Sequence, residues 1–285
     1  LQVRVQKFLE EVIRMSSDRN KKVQLINQLE GSHLLRQVHL HLEGPVIARH
    51  WWITAQPSGF VAQICETCRS VINPPGELFW YEGDVATREV FLERGTVAKL
   101  VTGTVSHRGR PRVSTASLVE NVQDSEQMAE HLSQVLGQLK EGSASVEDST
   151  GVSGSCFTPS DPPLGHPALF VPARSDFSAL CVSFVEALEL GRDDMARIAA
   201  ECGATVLTCY RAVQVACSIE FSLPSMACTV LQDCDSSEIS NLANLPIMLP
   251  DDTRALPHLA RAASAGCFDV VETLLGIEAD PNARG

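Results

Sequence analysis

The sequence is short of basic residues and has no long apolar run. It contains 23 Lys+Arg and 35 Asp+Glu, so the 285 residues carry a formal charge of −12. A general nucleic-acid binder needs a basic surface that neutralises phosphates, and this class is therefore excluded. A membrane-spanning helix needs about 20 consecutive apolar residues. The longest candidate stretch, 203–217, is interrupted by Arg211 and Gln214, so no membrane span is predicted within this sequence.

Two N-terminal features are also missing, an initiator Met and a signal-peptide pattern. The chain opens directly in an amphipathic pattern, which indicates a piece of a longer polypeptide. Its ten Cys are scattered at irregular spacing, which is typical of reduced cytosolic thiols rather than of a disulfide framework. The charge is uneven, because residues 1–115 carry 15 basic and 11 acidic residues whereas residues 116–285 carry 8 and 24.

Signatures of catalysis and of metal binding are absent as well. There is no G-x-S-x-G motif and no G-x-x-x-x-G-K-[ST] motif, so we expect no enzyme and no catalytic residue. Cys65 and Cys68 have the spacing of half a zinc site or of a redox pair, but no second pair follows nearby. We interpret them as packing thiols and keep a thiol-based redox protein as a weaker alternative. His33, His39, His41 and His50 lie close together in the sequence, but His39 and His41 point about 200° apart on a predicted helix. We therefore expect no metal site and interpret these histidines as structural or solvated.

The first part of the chain predicts short helices joined by tight turns. Apolar positions recur at helical spacing over 3–31 and over 32–50, where Gly44-Pro45 forms a stop. A further short helix is predicted over 60–71, because prolines follow it. The pair Trp51-Trp52 is interpreted as an aromatic anchor at the junction between these helices and the next region.

Short β-type runs separated by Gly-containing turns follow, at a spacing of roughly ten residues. They lie at 77–81, 89–93 and 97–105 and indicate a small antiparallel sheet folded into a roll or barrel. The stretch 142–167 is rich in Gly, Ser, Asp and Pro and has too few apolar residues to offset its ordering entropy. We therefore predict a disordered insertion over about 106–175.

Apolar residues return after this insertion. The spacing predicts a helix over 192–202 and strand-like segments over 204–209 and 212–221. The predicted fold class is α+β, with an antiparallel β-roll, flanking helices before and after it, and a helix-turn-helix at the end of the chain.

Several stretches resemble parts of one family. VINPPGELFWYEGD at 71–84 and FLERGTV at 91–97 resemble the first half of a cyclic-nucleotide-binding β-roll, which shows a PGE, strand, GD, strand, G-x-V series. The opening helices over 1–42 resemble the helical C-linker that joins the pore of voltage-gated and cyclic-nucleotide-gated channels to this roll. Residues 219–245 are similar to the end of that domain in potassium channels of the plant Shaker-like and EAG-like type.

The last stretch resembles an ankyrin repeat, which follows the roll in the plant channels. LPHLARAA at 256–263, GCFDVVETLL at 266–275 and ADPNAR at 279–284 match its first helix, its Gly turn with the second helix, and its Asp-Pro-Asn turn. Because one repeat cannot bury its own face, an array of about three or more is expected. The resemblance therefore implies three regions, which are a helical C-linker over 1–52, a cyclic-nucleotide-binding-like β-roll over 53–245 and an ankyrin repeat over 254–285.

The family's phosphate-binding cassette brings a Gly-Glu pair and the backbone N–H groups of a short helix to the ligand, and an Arg several residues later pairs with the phosphate. The best match by sequence is FVEAL at 184–188 with YRAVQV at 210–215, which makes Glu186 and Arg211 the candidate ligand-binding residues. Val185 replaces the Gly, and the interval from 186 to 211 exceeds the family's usual spacing. We therefore predict a degenerate cassette that binds neither cAMP nor cGMP, and no other cofactor.

The resemblance implies the cytoplasmic gating region of a voltage-gated potassium channel whose pore lies outside this sequence. It further implies a membrane protein with this region on the cytoplasmic side, assembly with other channel subunits as a homotetramer, and a protein partner for the ankyrin surface. The alternative is a soluble cyclic-nucleotide-responsive module of a kinase or a similar effector. The opening helices argue against that alternative, because soluble regulators usually place a docking or inhibitor segment there.

Overall fold

The described part of the chain contains eight strands. The computed structural model describes residues 34–102, 146–147, 152–234, 236–250, 252 and 254–276, together with the single residues 14, 17 and 24. The strands are β1 (Arg69–Asn73), β2 (Leu78–Trp80), β3 (Arg88–Arg94), β4 (Val97–Thr102), β5 (Val146–Glu147), β6 (Val152–Phe157), β7 (Ser178–Cys181) and β8 (Val185–Gly191).

These strands form two sheets that face each other. One has the order β1-β8-β3 and the other the order β2-β7-β4-β6-β5, and every pairing between the described strands is antiparallel. Side chains from both sheets, among them Phe79, Val90 and Val185, share one core. The predicted α+β class, an antiparallel β-roll with flanking helices, is confirmed.

Helices precede and follow the roll. None of the helices in the described residues is both apolar enough and long enough to cross a membrane. They are α1 (Leu34–Leu42), α2 (Gly44–Ile47), α3 (Ser58–Thr67), α4 (Arg192–Glu201), α5 (Ala204–Glu220), α6 (Pro224–Gln232), α7 (Ser236–Asn244), α8 (His258–Ala265) and α9 (Phe268–Gly276), with a 3-10 turn at Ile53–Ala55.

The sheet β1-β8-β3 has apolar side chains on both faces. On β3, Val90 and Leu92 join the core between the sheets, whereas Phe91 packs into the cluster formed with the helices. On β8, Val185 and Leu188 divide in the same way. Alternate side chains of a strand point to opposite faces. One face of this sheet therefore closes the roll, and the other carries the helices.

Trp52 attaches the segment before the roll to the helix-facing side. Its ring centroid lies 5.5 Å from Phe60 in α3, 5.5 Å from Phe170 and 6.0 Å from Tyr210 in α5. Edge-to-face contacts of this kind are favourable beyond the area that they bury. The predicted aromatic anchor at this junction is confirmed for Trp52, which is 5% exposed.

Most of the elements predicted before residue 102, and the helix predicted over 192–202, are confirmed with shifted ends. The strands predicted over 77–81, 89–93 and 97–105 are β2, β3 and β4, and the helix predicted over 192–202 is α4. The helix predicted over 60–71 ends at Thr67, because Arg69–Asn73 pairs with β8 as β1. The stop predicted at Gly44-Pro45 within 32–50 is confirmed, because α1 ends at Leu42 and α2 begins at Gly44. The helical pair predicted over 3–31 lies outside the described residues, apart from residues 14, 17 and 24.

The two strands predicted over 204–209 and 212–221 are wrong. This stretch is the single helix α5. Tyr210 packs in the cluster shared with the β-roll, and Val215 packs in a second cluster with α6 to α9. A helix that is buried on several sides is apolar nearly all round, so it shows neither clear helical nor clear strand periodicity.

The predicted disordered insertion over 106–175 is wrong for residues 152–175. β6 pairs with β4 along its whole length, from Val97↔Phe157 to Thr102↔Val152. Leu164 and residues 168–171 are fully buried. The backbone of β6 forms hydrogen bonds with the backbone of β4, so this strand is ordered although its sequence is rich in Gly and Ser. Residues 103–145 lie outside the described residues.

The last two helices form a helix-turn-helix that is attached by a buried arginine. Gly266 ends α8 in the left-handed conformation, with φ +70°. Arg261 in α8 is 4% exposed and bonds to Asp252 and to the backbone oxygen of Ile247 at 2.9 Å. Its Nη1 also lies 3.5 Å from Glu220 Oε2 at the end of α5. Ionic and backbone contacts thus connect α8 to α5 and to the loop before α8.

Gly95, in the turn between β3 and β4, provides a test of the packing of the roll. It has φ +94°, and a Cβ there would lie 2.2 Å from the backbone oxygen of Phe184 and 2.9 Å from Cα of Val185. Gly76 has φ +92° but open space around it. We expect Gly95→Ala to lower the free energy of unfolding by about 3 kcal/mol or more and Gly76→Ala by about 1 kcal/mol, measured by urea unfolding. Equal losses would show that backbone conformation alone requires glycine at position 95.

Candidate functional site

The space between the two sheets is filled by a row of aromatic rings. Trp80 lies between Phe79, at a centroid distance of 6.1 Å, and Phe177, at 5.9 Å. Phe157 stacks on Phe177 at 6.1 Å. Phe79, Trp80 and Phe177 are each less than a tenth exposed. The roll interior is therefore a packed core at the described residues.

An open pocket lies beside this row, at the turn between β2 and β3. Phe79, Trp80 and residues 84–88 line it. Arg88 at its edge is not free, because its Nε lies 3.3 Å from Glu189 Oε1 on β8. The pocket thus presents a guanidinium that already has a carboxylate partner.

A loop between β6 and β7 makes backbone hydrogen bonds to residues 83–86, which adjoin this pocket, and we name residues 164–175 the cassette loop. Its second residue, Gly165, has φ +91°. The Ala168 N–H donates to the Gly165 oxygen at 2.7 Å and forms a turn, and Arg174 lies near the end of the loop. Arg174 Nη1 donates to the backbone oxygen of Gly83 at 2.7 Å. A Gly, a short turn and an Arg nine positions after the Gly thus lie in one loop.

His166, which follows this Gly, faces a buried carboxylate. Its Nδ1 lies 3.6 Å from Glu89 Oε1, and His50 Nε2 lies 3.3 Å from Glu89 Oε2. We name these three residues the histidine cluster. Glu89 and His50 are almost completely buried, whereas the His166 side chain is 29% exposed. One carboxylate on β3 thus faces both the segment before the roll and the cassette loop.

His50 is held in one tautomer by the backbone. Its Nδ1 accepts hydrogen bonds from the N–H groups of Trp52 at 3.1 Å and Ile53 at 3.3 Å. A ring nitrogen that accepts a hydrogen bond carries no proton, so the proton of the neutral ring is on Nε2. This nitrogen lies 3.3 Å from Glu89 Oε2.

Glu89 is ionised in spite of its burial. Burial by itself would raise the pKa of Glu89, but the facing His50 and His166 outweigh this effect and lower the pKa to about 2. The cluster therefore keeps a negative charge on the helix-facing side of β3, where Phe91 and its neighbours are apolar.

The donor atoms of the histidine cluster lie within 4.8 Å of one another, as the ligands of a metal ion do. A histidine that binds a metal through one nitrogen usually donates its other N–H to an oxygen. Nδ1 of His50 instead faces two N–H donors, and the proton occupies Nε2, the atom that would have to bind the ion. The hydrogen bonds that His50 accepts at Nδ1 therefore do not fit a metal ion bound at its Nε2.

The two residues predicted from sequence have separate partners on separate elements. Glu186 in β8 lies on the opposite face of the strand from Val185 and is 3.5 Å from Arg94 Nε. Arg211 lies in α5 and is 2.5 Å from Glu238 in α7. Because α5 is a helix, Arg211 belongs to the helical side of the molecule. The described contacts do not bring Glu186 and Arg211 into one site.

Comparisons with solved structures find cyclic-nucleotide-binding domains at low identity. A cyclic nucleotide-binding-like protein from Brucella abortus is 12% identical, with a TM-score of 0.36, and the match covers 54% of this chain and 94% of that one. The regulatory domain of Toxoplasma gondii PKA, solved with cAMP, is 9% identical, also with a TM-score of 0.36, and the match covers 57% of this chain and 46% of that one. No protein-family model and no curated protein sequence matches the chain.

Sequence reasoning missed Glu89 and His166. Glu89 is in phase with Phe91 on a strand that is apolar on both faces, and this position signals a buried acid that needs a partner. His166 was not recognised because it lies inside the stretch predicted to be disordered. His50 was interpreted as a structural or solvated residue, and its partner could not be identified without the fold.

The thiols give no support to the redox alternative. Burial raises the pKa of the Cys65 thiol to about 12, and burial also raises the pKa of Cys68 well above its usual value. The thiolate is the reactive form of cysteine, so both groups are inert near neutral pH. All ten cysteines are free of disulfide bonds.

Glu89 is expected to make the stability of the chain depend on pH in acid. Its folded pKa of about 2 lies below its ordinary value of 4.5, so its contribution is complete above about pH 4.5 and is lost as the pH falls toward 2. We expect Glu89→Gln to lower the free energy of unfolding at pH 6 by about 3 kcal/mol and to flatten this dependence. Urea unfolding at a series of pH values measures both effects.

Glu186→Gln is the matched control for this experiment. It removes a carboxylate from the neighbouring strand whose partner, Arg94, is 71% exposed, and we expect it to cost less than about 1 kcal/mol. A loss as large as that of Glu89→Gln would contradict the special position of Glu89.

Proposed function

We propose that this chain is the cytoplasmic gating region of a voltage-gated potassium channel and that its β-roll works without a cyclic nucleotide. The observation that carries the second part is the filled interior, where Phe79, Trp80 and Phe177 are in contact with one another. A nucleotide entering between the sheets would expose these rings to water. Burying one large apolar side chain contributes about 1.5–3 kcal/mol, so their displacement would cost several times that amount.

Gly165 supports the same conclusion. A Cβ at this position would lie 2.9 Å from the backbone oxygen of Arg88 and 3.3 Å from the ring of Trp80. The space that a glycine leaves beside its backbone is therefore occupied by strand β3 and by the ring of Trp80. The residue after it is His166, which faces Glu89, where the family cassette has a glutamate for the ligand.

The channel assignment is based on the sequence resemblance and is supported by the contacts on both sides of the roll. Trp52 and His50 connect the segment before the roll to Phe170 and Glu89, so a movement of the roll has a direct route to the helices that precede it. The helices α8 and α9 are proposed to be the first repeat of an ankyrin array with a protein partner. Homotetramer formation and a position on the cytoplasmic side of the membrane belong to this proposal.

A soluble cyclic-nucleotide-responsive module is the second candidate, and one observation favours it. Arg174 is exposed and donates to the oxygen of Gly83, next to the pocket lined by residues 84–88. A phosphate could replace that oxygen as the acceptor, because arginine pairs readily with phosphate.

Calorimetric titration of the full chain with cAMP and with cGMP separates the two candidates. We expect no binding heat at micromolar concentrations, for the wild type and for Arg174→Ala and Arg211→Ala alike. Micromolar binding that Arg174→Ala abolishes and Arg211→Ala preserves would establish the nucleotide-responsive module. Arg211 is the appropriate control because it is engaged with Glu238 on the helical side.

The coding sequence upstream of Leu1 tests the channel part. Six apolar spans and a T-x-G-Y-G-like selectivity filter are expected there. A kinase or another soluble domain in that place would overturn the assignment.

A further inference from the structure

The turn that follows β6 contains a threonine with a proline directly after it. Of the 15 prolines in the sequence, Pro159 alone comes directly after a Ser or a Thr. Protein kinases of the proline-directed class recognise this dipeptide, because proline has no N–H group and holds the residue before it in an extended conformation. Thr158 and Pro159 are partly exposed, and Ser160 beside them is exposed. The turn over 158–161 therefore presents the dipeptide at the surface.

A carboxylate closes this turn. Asp161 Oδ2 accepts hydrogen bonds from the Thr158 N–H at 2.6 Å and from the Thr158 hydroxyl at 2.8 Å. The Asp161 N–H donates in return to the Thr158 backbone oxygen at 3.0 Å. Ser160 Oγ also lies 2.8 Å from Thr158 Oγ1. The Thr158 hydroxyl is thus one of the groups that hold the turn together, and a change at this oxygen acts on the turn.

The same turn contacts the segment before the roll. Nη1 of Arg49 donates a hydrogen bond to the backbone oxygen of Pro159, which lies 110 positions further along the chain. Arg49 directly precedes His50, whose Nε2 lies 3.3 Å from Glu89 Oε2 on β3. The segment before the roll is therefore attached at two neighbouring positions, and one of the two attachments depends on the turn over 158–161.

We propose that Thr158 is the acceptor of a proline-directed protein kinase and that its phosphorylation opens the turn and releases Arg49. In the reaction, Thr158 Oγ1 attacks the γ-phosphorus of ATP and forms a new O–P bond. The bond from this phosphorus to the bridging oxygen breaks, ADP leaves, and the hydroxyl proton passes to a base of the kinase. This inference goes beyond the function proposed above and does not depend on whether the chain belongs to a channel.

Two neighbouring charges act on the new phosphate in opposite directions. A phosphate group carries a charge of about −1.5 to −2 at pH 7. The phosphorylated oxygen no longer donates a hydrogen to Asp161, and the phosphate repels that carboxylate. Arg49 attracts the phosphate, but burial lowers the pKa of Arg49 and the nearby charge of Glu93 partly offsets this effect, so Arg49 keeps an anionic neighbour without the turn. The repulsion at Asp161 therefore decides the direction of the change.

Treatment of the folded full chain with ATP and an active mitogen-activated protein kinase tests the acceptor, and mass spectrometry locates the phosphate. We expect one phosphate, at Thr158. Thr158→Val removes the acceptor oxygen and Pro159→Ala removes the recognised proline, so each variant should abolish incorporation. Ser160→Ala is the matched control, because it removes the neighbouring hydroxyl of the same turn and should leave incorporation unchanged.

Hydrogen–deuterium exchange tests the opening of the turn. We expect phosphorylation to accelerate exchange of the amides in residues 48–54 and 158–161 by about fivefold, the size of an exposed charge interaction of about 1 kcal/mol. Thr158→Glu should exchange faster than the uncharged Thr158→Gln, and Asp161→Asn added to both should remove this difference. The amides of α8 and α9 are the internal control, because these helices pack in the other helical cluster.

Three results would overturn the proposal. The first is the absence of phosphate from Thr158 in the folded chain, and a synthetic peptide of residues 152–163 then shows whether the sequence or its place in the fold is responsible. The second is incorporation that persists in Thr158→Val. The third is unchanged or slower exchange in the phosphorylated wild-type chain, which needs no variant, because slower exchange would mean that the phosphate binds Arg49 and strengthens the attachment.

Discussion

The sheet β1-β8-β3 is buried on both of its faces, and most of the architecture follows from the need to cover it twice. The five-stranded sheet covers the face that carries Val90 and Val185. The other face, with Phe91 and Leu188, requires helices, and these come from both sides of the roll in the sequence. Segments far apart along the chain therefore meet on one side of three strands, and only residues on that side can connect them.

Glu89 lies on that side and places a buried carboxylate in a surface that is otherwise apolar. A sheet face covered by apolar groups alone would hold its helices equally well at every pH. The Glu89 carboxylate instead lies 3.3 Å from His50 in the segment before the roll and 3.6 Å from His166 in the cassette loop.

The sequence was sufficient to predict β2, β3 and β4, because their apolar pattern and the glycine turns between them indicate the same strands. It failed for α5, because Tyr210 and Val215 face different cores and the helix has no polar side that would display its period. It failed for β6 and the cassette loop, where order comes from backbone pairing to β4 and from a few buried residues such as Leu164.

For the same reason, the candidate site could not be predicted from the sequence. Of the two positions chosen by motif, Glu186 lies on the strand β8, whereas Arg211 lies in the stretch that was predicted as two strands and is the helix α5. Glu89 carried a readable signal, an acid in phase with Phe91, but the identity of its partners depends on long-range contacts with residues 50 and 166. Such contacts leave no local pattern, since each histidine is 39 or more positions away along the chain.

The helix α5 has a mechanical consequence. It touches the cassette loop at Tyr210 and ends at Glu220, next to Arg261 of the terminal helix pair. Ten helical residues span about 15 Å, so a rotation of about 4° around the loop contact shifts the far end by about 1 Å. α5 is thus a rigid lever whose pivot lies beside the histidine cluster, and a small angular displacement there arrives as a translation at the surface of α8 and α9.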